Sequence, residues 1–202
     1  RLDPSSYTKR GGSIRLLDVQ TALRFNGPIV VVDATHAALV RTVESALRGA
    51  GSGKGHFPQV SAGVALRYTT DAPEQTHVVE AGKVKAIRCM GARVRDLVIT
   101  PAGGAPIVLV KDGAMPTPNA RIAIATLEYL AGGGDGWFPG VTGLAVSKIP
   151  DVTEQTALRG FLAAEEQAGR WQRGAGYVDE DPARARVVPV DGTGVVVPPG
   201  CP

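Results

Sequence analysis

Residues 14–39 read IRLLDVQTALRFNGPIVVVDATHAAL, and this stretch contains three successive elements of the fold. Residues 14–24 repeat apolar side chains at helical spacing behind Ser13, a good N-cap residue, which predicts a short amphipathic helix. Residues 28–34 form a continuous apolar run rich in β-branched side chains, which is typical of a buried strand. Thr35 is then expected to cap a second helix. The apolar positions of that helix recur on one face: Leu39, Val43, Ala46 and Leu47.

Further along the chain, the apolar period changes from that of a helix to the alternation of β-strands. Strands are predicted at residues 64–70, 83–89, 93–100, 106–111 and 121–126. Turns rich in Asp, Gly and Pro separate them at residues 71–73, 101–104 and 112–113. A last helix is predicted at residues 153–167, with an apolar face of Ala157, Leu158, Phe161 and Leu162. Strands that cluster between flanking helices predict an α+β fold with a largely antiparallel sheet.

Length and composition favour one domain with an appended tail. The chain has 202 residues, 44% of them hydrophobic, which is enough for one substantial core. We interpret residues 1–168 as that domain and residues 169–202 as an irregular, Pro/Gly-rich tail packed on it.

A net charge of +3 from scattered basic residues does not indicate nucleic-acid binding. No apolar run approaches the roughly 20 residues of a membrane span. Because the sequence begins at Arg1, we expect a processed or truncated piece of a longer protein.

Cysteine and histidine residues give little indication of metal binding. Cys89 and Cys201 would pair in a secreted protein and stay free thiols in a cytosolic one, and the sequence favours neither. His36, His56 and His77 stand at no spacing that is typical of zinc ligands. We therefore expect no metal site in this chain.

Two glycine-rich segments invite a functional interpretation. Residues 49–55 (GAGSGKG) superficially resemble a phosphate-binding loop, but Arg48 stands where the first glycine is needed and Gly55 replaces the Ser or Thr after the lysine. We predict a mobile connection there. Residues 132–137 (GGGDGW) follow a predicted strand, and Asp135 is either a solvated turn residue or an acceptor for two hydroxyls of a sugar. The turn interpretation is the more frequent one, and Phe25 is by default a core aromatic residue.

Four segments in order carry a resemblance to a known family. They are Arg1-Leu2-Asp3, residues 14–39, residues 55–71 (GHFPQVSAGVALRYTTD) and residues 122–137 (IAIATLEYLAGGGDGW). This series resembles the C-terminal domain shared by bacterial UDP-sugar hydrolase/5'-nucleotidases and animal ecto-5'-nucleotidase. The resemblance extends from Arg1 to about residue 137, and the helix predicted at residues 153–167 fits the last helix of the family. It implies a layered α-β-β-α arrangement with mostly antiparallel sheets.

The resemblance also implies a nucleotide pocket. Phe25 and Tyr129 would stack on the two faces of the base, at about 1–3 kcal/mol per contact and with tolerance for any base. Asp135 would accept hydrogen bonds from the ribose hydroxyls. The remaining implied contacts are those of Asn26 and Gly55 with the base edge and of Arg1, through its fork of donors, with the phosphates.

Several positions depart from the family pattern. Arg24 replaces a proline, Asn26-Gly27 inverts a common Gly-Asn order, and Glu128 replaces an asparagine. Tyr129 replaces a phenylalanine, which keeps the ring but adds a hydroxyl that needs a partner. His36 stands where glycine commonly begins the helix, and we expect it on the surface.

The catalytic centre of the resembled family lies in a separate N-terminal metallophosphatase domain, where two divalent metal ions drive phosphate-ester hydrolysis. The Asp-x-His, Gly-Asn-His-Asp/Glu and Gly-His-x-His motifs of that domain do not occur here, nor does a Ser-His-Asp or Cys-His arrangement. The resemblance therefore implies a substrate-specificity domain that binds a nucleotide or nucleoside phosphate, is inactive alone, and has no catalytic residue or metal ligand. It further implies an exported protein, periplasmic or extracellular. The alternatives are a non-catalytic nucleotide-binding module and a structural module in which Phe25 and Tyr129 are core residues.

Overall fold

A computed structural model describes residues 14–53, 55–81, 83–141, 143–169, 186–198 and 201. In these ranges the helices are α1 (Leu16–Ala22), α2 (His36–Ala46), α3 (Glu128–Ala131) and α4 (Glu154–Gln167), with a 3-10 turn at Gly134–Gly136. The strands are β1 (Pro28–Thr35), β2 (Val64–Tyr68), β3 (Thr76–Glu80), β4 (Lys83–Cys89), β5 (Val94–Ile99), β6 (Ile107–Val110), β7 (Arg121–Leu127), β8 (Ala145–Thr153) and β9 (Val187–Pro189). Among the helices so described, none is long and apolar enough to cross a membrane.

Strand β1 is the centre of a three-stranded sheet with the order β7-β1-β8, and both of its neighbours run antiparallel to it. Val30 and Val32 are fully buried, as the continuous apolar run predicts. Ile29 pairs with Leu127, so the beginning of β1 and the end of β7 lie at the same end of this sheet. That end is where the candidate site begins.

A second sheet has the order β6-β5-β2-β9, and β3 and β4 form a separate hairpin. Every pairing is antiparallel except that of β2 with β9. The predicted α+β class with mostly antiparallel sheets is therefore confirmed. The six predicted strands are present with ends that differ by at most two residues, whereas β3, β8 and β9 were not predicted. Strand β9 lies within the predicted tail, at Val187–Pro189.

Helix α2 contributes to the hydrophobic cores of both larger sheets. Its first turn is capped as predicted, because the hydroxyl of Thr35 accepts a hydrogen bond from the Ala38 amide at 3.1 Å. Ala38 packs with β1 in one core cluster. The other cluster joins α2 to β2, β5 and β6 and includes Leu39, Val43, Leu47, Leu66, Leu97 and Leu109. Burial of each such leucine contributes about 1.5–3 kcal/mol, so α2 is fixed firmly in place.

The outer helices differ from their sequence-based descriptions. Ser13 lies outside the described residues, and Arg15 is the N-cap of α1, with its backbone amide donating to Asp18 Oδ2 at 2.7 Å. Helix α4 begins one residue after the start of the predicted helix, with Thr153 as its N-cap, but no residue of α4 is buried. Phe161, expected on a packed apolar face, is 58% exposed. The periodicity of α4 therefore predicted the helix correctly and its burial wrongly.

His36 is buried, which contradicts the surface position expected from the sequence. Its side chain is 3% exposed, and its ring Nδ1 lies 3.0 Å from the hydroxyl of Thr117. Its backbone amide donates to the carbonyl of Ala120 at 2.8 Å. The segment before β7 thus covers the beginning of α2. This contact joins positions about eighty residues apart, so a local sequence pattern cannot predict it.

Cys89 and Cys201 form a disulfide that closes a sequence separation of 112 residues. Of the two alternatives that the sequence left open, the structure has the paired one. Cys89 is fully buried at the end of β4. In the chain-entropy description, a cross-link over a loop of this length stabilises the folded state by about 4–5 kcal/mol.

Candidate functional site

Phe25 lies in the turn between α1 and β1 and is 90% exposed, so it is not the core aromatic residue that its sequence context suggests. The next residue, Asn26, has a φ of 48°, the left-handed conformation that asparagine tolerates better than most residues. Helix α4 fixes this turn from one side. The backbone amide of Glu154 donates to the carbonyl of Gly27 at 3.0 Å, and the side-chain amide of Gln155 donates to the carbonyl of Leu23 at 2.8 Å.

Tyr129 lies in the short helix α3, directly after β7, and is 61% exposed. Its hydroxyl donates a hydrogen bond to Asp135 Oδ1 at 3.1 Å. Gly134 lies against the ring, since a Cβ atom there would be 2.4 Å from ring carbons of Tyr129. The glycine is therefore required by close approach, and the ring rests on the backbone of the loop that carries Asp135.

The topology brings Phe25 and Tyr129 to one end of the three-stranded sheet. Phe25 precedes β1, Tyr129 follows β7, and the antiparallel register pairs Ile29 with Leu127 between them. Two largely exposed rings from segments about a hundred residues apart thus extend from neighbouring strand ends. Exposed rings provide flat apolar faces, which suit a planar heteroaromatic ligand.

The loop at residues 132–137 is tied to the C-terminal end of α2. Ser45 is fully buried, and its hydroxyl donates to the carbonyl of Gly136 at 2.6 Å. Arg48 donates from Nη2 to the carbonyl of Asp135 at 3.2 Å and from Nε to the carbonyl of Ser45 at 2.9 Å. These bonds hold Asp135 at a φ of 54°, in the left-handed region that costs an ordinary residue about 1 kcal/mol or more.

Gly55, another of the predicted contact residues, belongs to the segment between α2 and β2. Gly55 is exposed in a turn, and the neighbouring His56 has its Nε2 2.7 Å from the carbonyl of Arg48. The turn that carries Gly55 is therefore joined through His56 to Arg48 and so to the Asp135 loop, but no hydrogen bond joins Gly55 itself to Tyr129 or Asp135. Arg1 lies outside the described residues.

A half-buried histidine, His77, lies behind the loop. Desolvation, with a smaller contribution from the nearby positive charge of Arg48, lowers the pKa of His77 to about 4. Its Nε2 lies 2.6 Å from Oε1 of Gln75. The ring is neutral at pH 7, so it can approach the guanidinium of Arg48 without charge repulsion. Burial also lowers the pKa of Arg48, against the opposing effect of the Glu74 carboxylate.

The sequence analysis did not identify Arg48 and His77 as residues that support the loop at residues 132–137. In the sequence, Arg48 is noticeable only because it stands where a phosphate-binding loop needs glycine. His77 is noticeable only as a possible metal ligand. Their role depends on contacts between segments that are distant in sequence, and no local motif indicates it. In the part of the chain that the structure describes, no group of three or more His, Cys, Asp or Glu side chains could hold a metal ion.

A groove of about 410 Å³ lies on another part of the surface, between α2, β6 and residues 194–198. Met90, Met115 and Val196 are among the side chains that line it. None of the predicted ligand contacts does, so the groove is separate from the candidate site.

The sequence matches the family model described as 5'-nucleotidase, C-terminal domain, over residues 4–142. The chain therefore belongs to the family of 5'-nucleotidase C-terminal domains, which confirms the resemblance identified from the four segments. No curated protein sequence matches the chain.

Two solved structures have a similar fold. One is the 5'-nucleotidase precursor from Thermus thermophilus, with a TM-score of 0.59 and 16% sequence identity. The other is the NAD nucleotidase NadN of Haemophilus influenzae, with a TM-score of 0.54 and 14% identity. Each alignment covers 88% of this chain but only 28% and 27% of the respective relative. At these identities the likeness establishes the fold alone, and the chain spans little more than a quarter of either relative.

Proposed function

We propose that this chain is the nucleotide-binding, substrate-specificity domain of a 5'-nucleotidase-type phosphohydrolase. Phe25 and Tyr129 stack on the base, Asp135 accepts hydrogen bonds from the ribose, and Asn26 and Gly55 contact the base edge. The observation that carries the proposal is the exposure of both rings, 90% and 61%, at one end of a sheet, with the Asp135 carboxylate bonded to one of them. Aromatic side chains of this size are normally buried, so two exposed ones at one end of a sheet, one of them bonded to a carboxylate, favour a ligand site.

The reaction itself is assigned to a metal-bearing domain that is not part of this chain. Two divalent ions there would activate water and stabilise the charge that develops on the transferring phosphoryl group. The residues of this chain orient the nucleoside so that its phosphate reaches that centre, with Arg1 as the proposed phosphate contact. Positioning of this kind lowers a barrier by several kcal/mol when the reacting groups are aligned.

Titration calorimetry with adenosine and AMP tests the binding proposal. Phe25→Ala should weaken both ligands by about 10- to 100-fold, since it removes one stacking contact. Phe161→Ala is the matched control, because Phe161 is also largely exposed but lies on α4. Equal affinities of the parent and Phe25→Ala would show that the pocket is assigned wrongly.

Asp135→Ala tests the ribose contact in the same assay. The loss of a charged acceptor should weaken adenosine by about tenfold or more. Asp112→Ala is the control, since Asp112 has a similar φ of 49° and a side chain that is 74% exposed. If the two variants behave alike, Asp135 is only a turn residue.

Phosphate release by the full-length protein separates the remaining alternatives. The proposal expects metal-dependent hydrolysis of nucleoside phosphates, with Phe25→Ala acting mainly on KM, and no hydrolysis by this chain alone. Binding without hydrolysis in the full-length protein would identify a non-catalytic nucleotide-binding module. The absence of binding by the parent would identify a structural module.

A periplasmic or extracellular location is part of the proposal. The Cys89–Cys201 disulfide supports it, because disulfides persist in oxidising compartments. Thiol alkylation of protein taken directly from the producing cells tests this point, and free thiols at both positions would contradict an exported location.

A further inference from the structure

The hydroxyl of Tyr129 is the feature of the candidate site that a stacking role does not require. A phenylalanine ring would present the same face to a base. The hydroxyl instead donates to Asp135 Oδ1 at 3.1 Å. One side chain thus connects the surface proposed for the base with the group proposed for the sugar.

Asp135 is held at three points. Arg48 donates to its backbone carbonyl, Ser45 donates to the carbonyl of the following Gly136, and Tyr129 donates to its carboxylate. The first two bonds fix the backbone at a φ of 54°. The bond from Tyr129 orients the carboxylate itself, because the side chain of Asp135 accepts it.

The remaining acceptor capacity of the carboxylate suits a vicinal diol. Within the described residues, Oδ2 of Asp135 accepts no hydrogen bond, and Oδ1 keeps a second lone pair beside the one that Tyr129 uses. Two adjacent hydroxyls can donate to the two oxygens of one carboxylate. A carboxylate already fixed in orientation loses less side-chain entropy when it forms those bonds.

We infer that the Tyr129 hydroxyl is a positioning and specificity-determining group that orients Asp135 and thereby selects ligands with an intact ribose diol over deoxy sugars. This inference rests on the proposed function, since it assumes that a nucleoside occupies the site. It adds a second role to Tyr129, whose ring supports the base while its hydroxyl sets the preference for the sugar.

Calorimetry on the full chain with adenosine and 2',3'-dideoxyadenosine tests the inference. The dideoxynucleoside has no hydroxyl on carbons 2' and 3' of its sugar, so it can stack but cannot donate a hydrogen bond to Asp135. Tyr129→Phe should weaken adenosine binding by about tenfold, the effect of one hydrogen bond to a charged group at the lower end of its range, and change the affinity for the dideoxynucleoside by less than twofold. Tyr129→Leu should weaken both ligands, because it removes the ring.

A double-mutant cycle gives the sharper result. In an Asp135→Ala background, Tyr129→Phe should leave adenosine affinity unchanged, because the hydroxyl then has no carboxylate to orient. Unchanged adenosine affinity in the single Tyr129→Phe variant, or equal losses for both ligands, would overturn the inference and leave the proposed function standing. If the parent binds neither ligand, the proposed function fails and the inference with it.

Discussion

The two glycine-rich segments of this chain have similar sequences and very different surroundings. At Gly51, Gly53 and Gly55 an added Cβ would meet no atom within 4 Å, so open space surrounds these positions. At Gly134 and Gly136 it would approach Tyr129 to 2.4 Å and Arg48 to 2.7 Å. Glycine in the first segment permits a turn, whereas glycine in the second also permits close packing. The segment that resembles a phosphate loop is therefore the less constrained of the two.

The largest effect is expected from Gly136→Ala. Gly136 has a φ of 76°, and an alanine there must adopt this conformation and displace the guanidinium of Arg48. The strain and the lost hydrogen bond together should lower the free energy of unfolding by about 2–3 kcal/mol. Gly53→Ala is the matched control, with a φ of 71° and no collision, and should cost about 1 kcal/mol. Urea unfolding measures both, and equal losses would remove the distinction between the segments.

Gly134→Ala should disturb binding more than stability. Its Cβ would collide with the ring of Tyr129 and push it away from the loop. Adenosine affinity should fall by about tenfold or more, since one of the two proposed stacking surfaces is displaced. Gly132→Ala is the control within the same loop, because its Cβ would lie 3.4 Å from the nearest atom, an ordinary contact. Calorimetry that finds the two variants alike would contradict the packing role of Gly134.

Two serines provide a third comparison, since each donates to a glycine carbonyl. Ser45 is fully buried and bonds to Gly136, whereas Ser52 is exposed and bonds to Gly49. Ser45→Ala should cost about 1.5 kcal/mol of unfolding free energy, because the partly buried carbonyl of Gly136 loses its donor. Ser52→Ala should cost less than about 0.5 kcal/mol, as is usual for surface changes. A loss of similar size at both sites would show that the bond from α2 does not hold the loop.

The smallest predicted effect is a pH dependence that originates at His77. Its folded pKa, about 4, is below the unfolded value of 6.5, so its contribution to stability is complete above pH 6.5 and is lost as the pH falls toward 4. We expect a loss of about 1 kcal/mol, allowing for the partial exposure of the ring. In a His77→Gln variant this part of the acid dependence should disappear from unfolding curves measured between pH 7 and pH 4.5. Parallel curves for variant and parent would exclude His77 as its source.

Elements with strong local signals were predicted well from the sequence. Strand β1 is a continuous apolar run, and Thr35 is a cap residue directly before α2, so both were identified within one residue. Strand β8 was missed because it is an edge strand with mostly exposed side chains and contains Pro150. Strand β9 was missed because its pairing with β2 is parallel and distant in sequence.

In the candidate site, too, some features have a signal in the sequence and others depend on contacts between distant segments. The resemblance drew attention to Phe25, Tyr129 and Asp135, and their roles remain predictions. The sequence pattern does not indicate that Phe25 is exposed, because this exposure depends on how α4 fixes the turn between α1 and β1. It also did not contain the bonds from Arg48 and Ser45, which exist only after α2 and the loop at residues 132–137 have packed together.

The disulfide has a consequence for the two halves of the candidate site. The covalent ring that it closes runs from Cys89 to Cys201 and includes Tyr129 and Asp135, but Phe25 lies outside it. A protease cut at any single bond inside this ring leaves both fragments attached, so the segment with the carboxylate stays with the rest of the molecule. A cut between residues 26 and 88 lies outside this covalent ring, so it leaves Phe25 with no covalent link to Tyr129 and Asp135 even while the disulfide is intact.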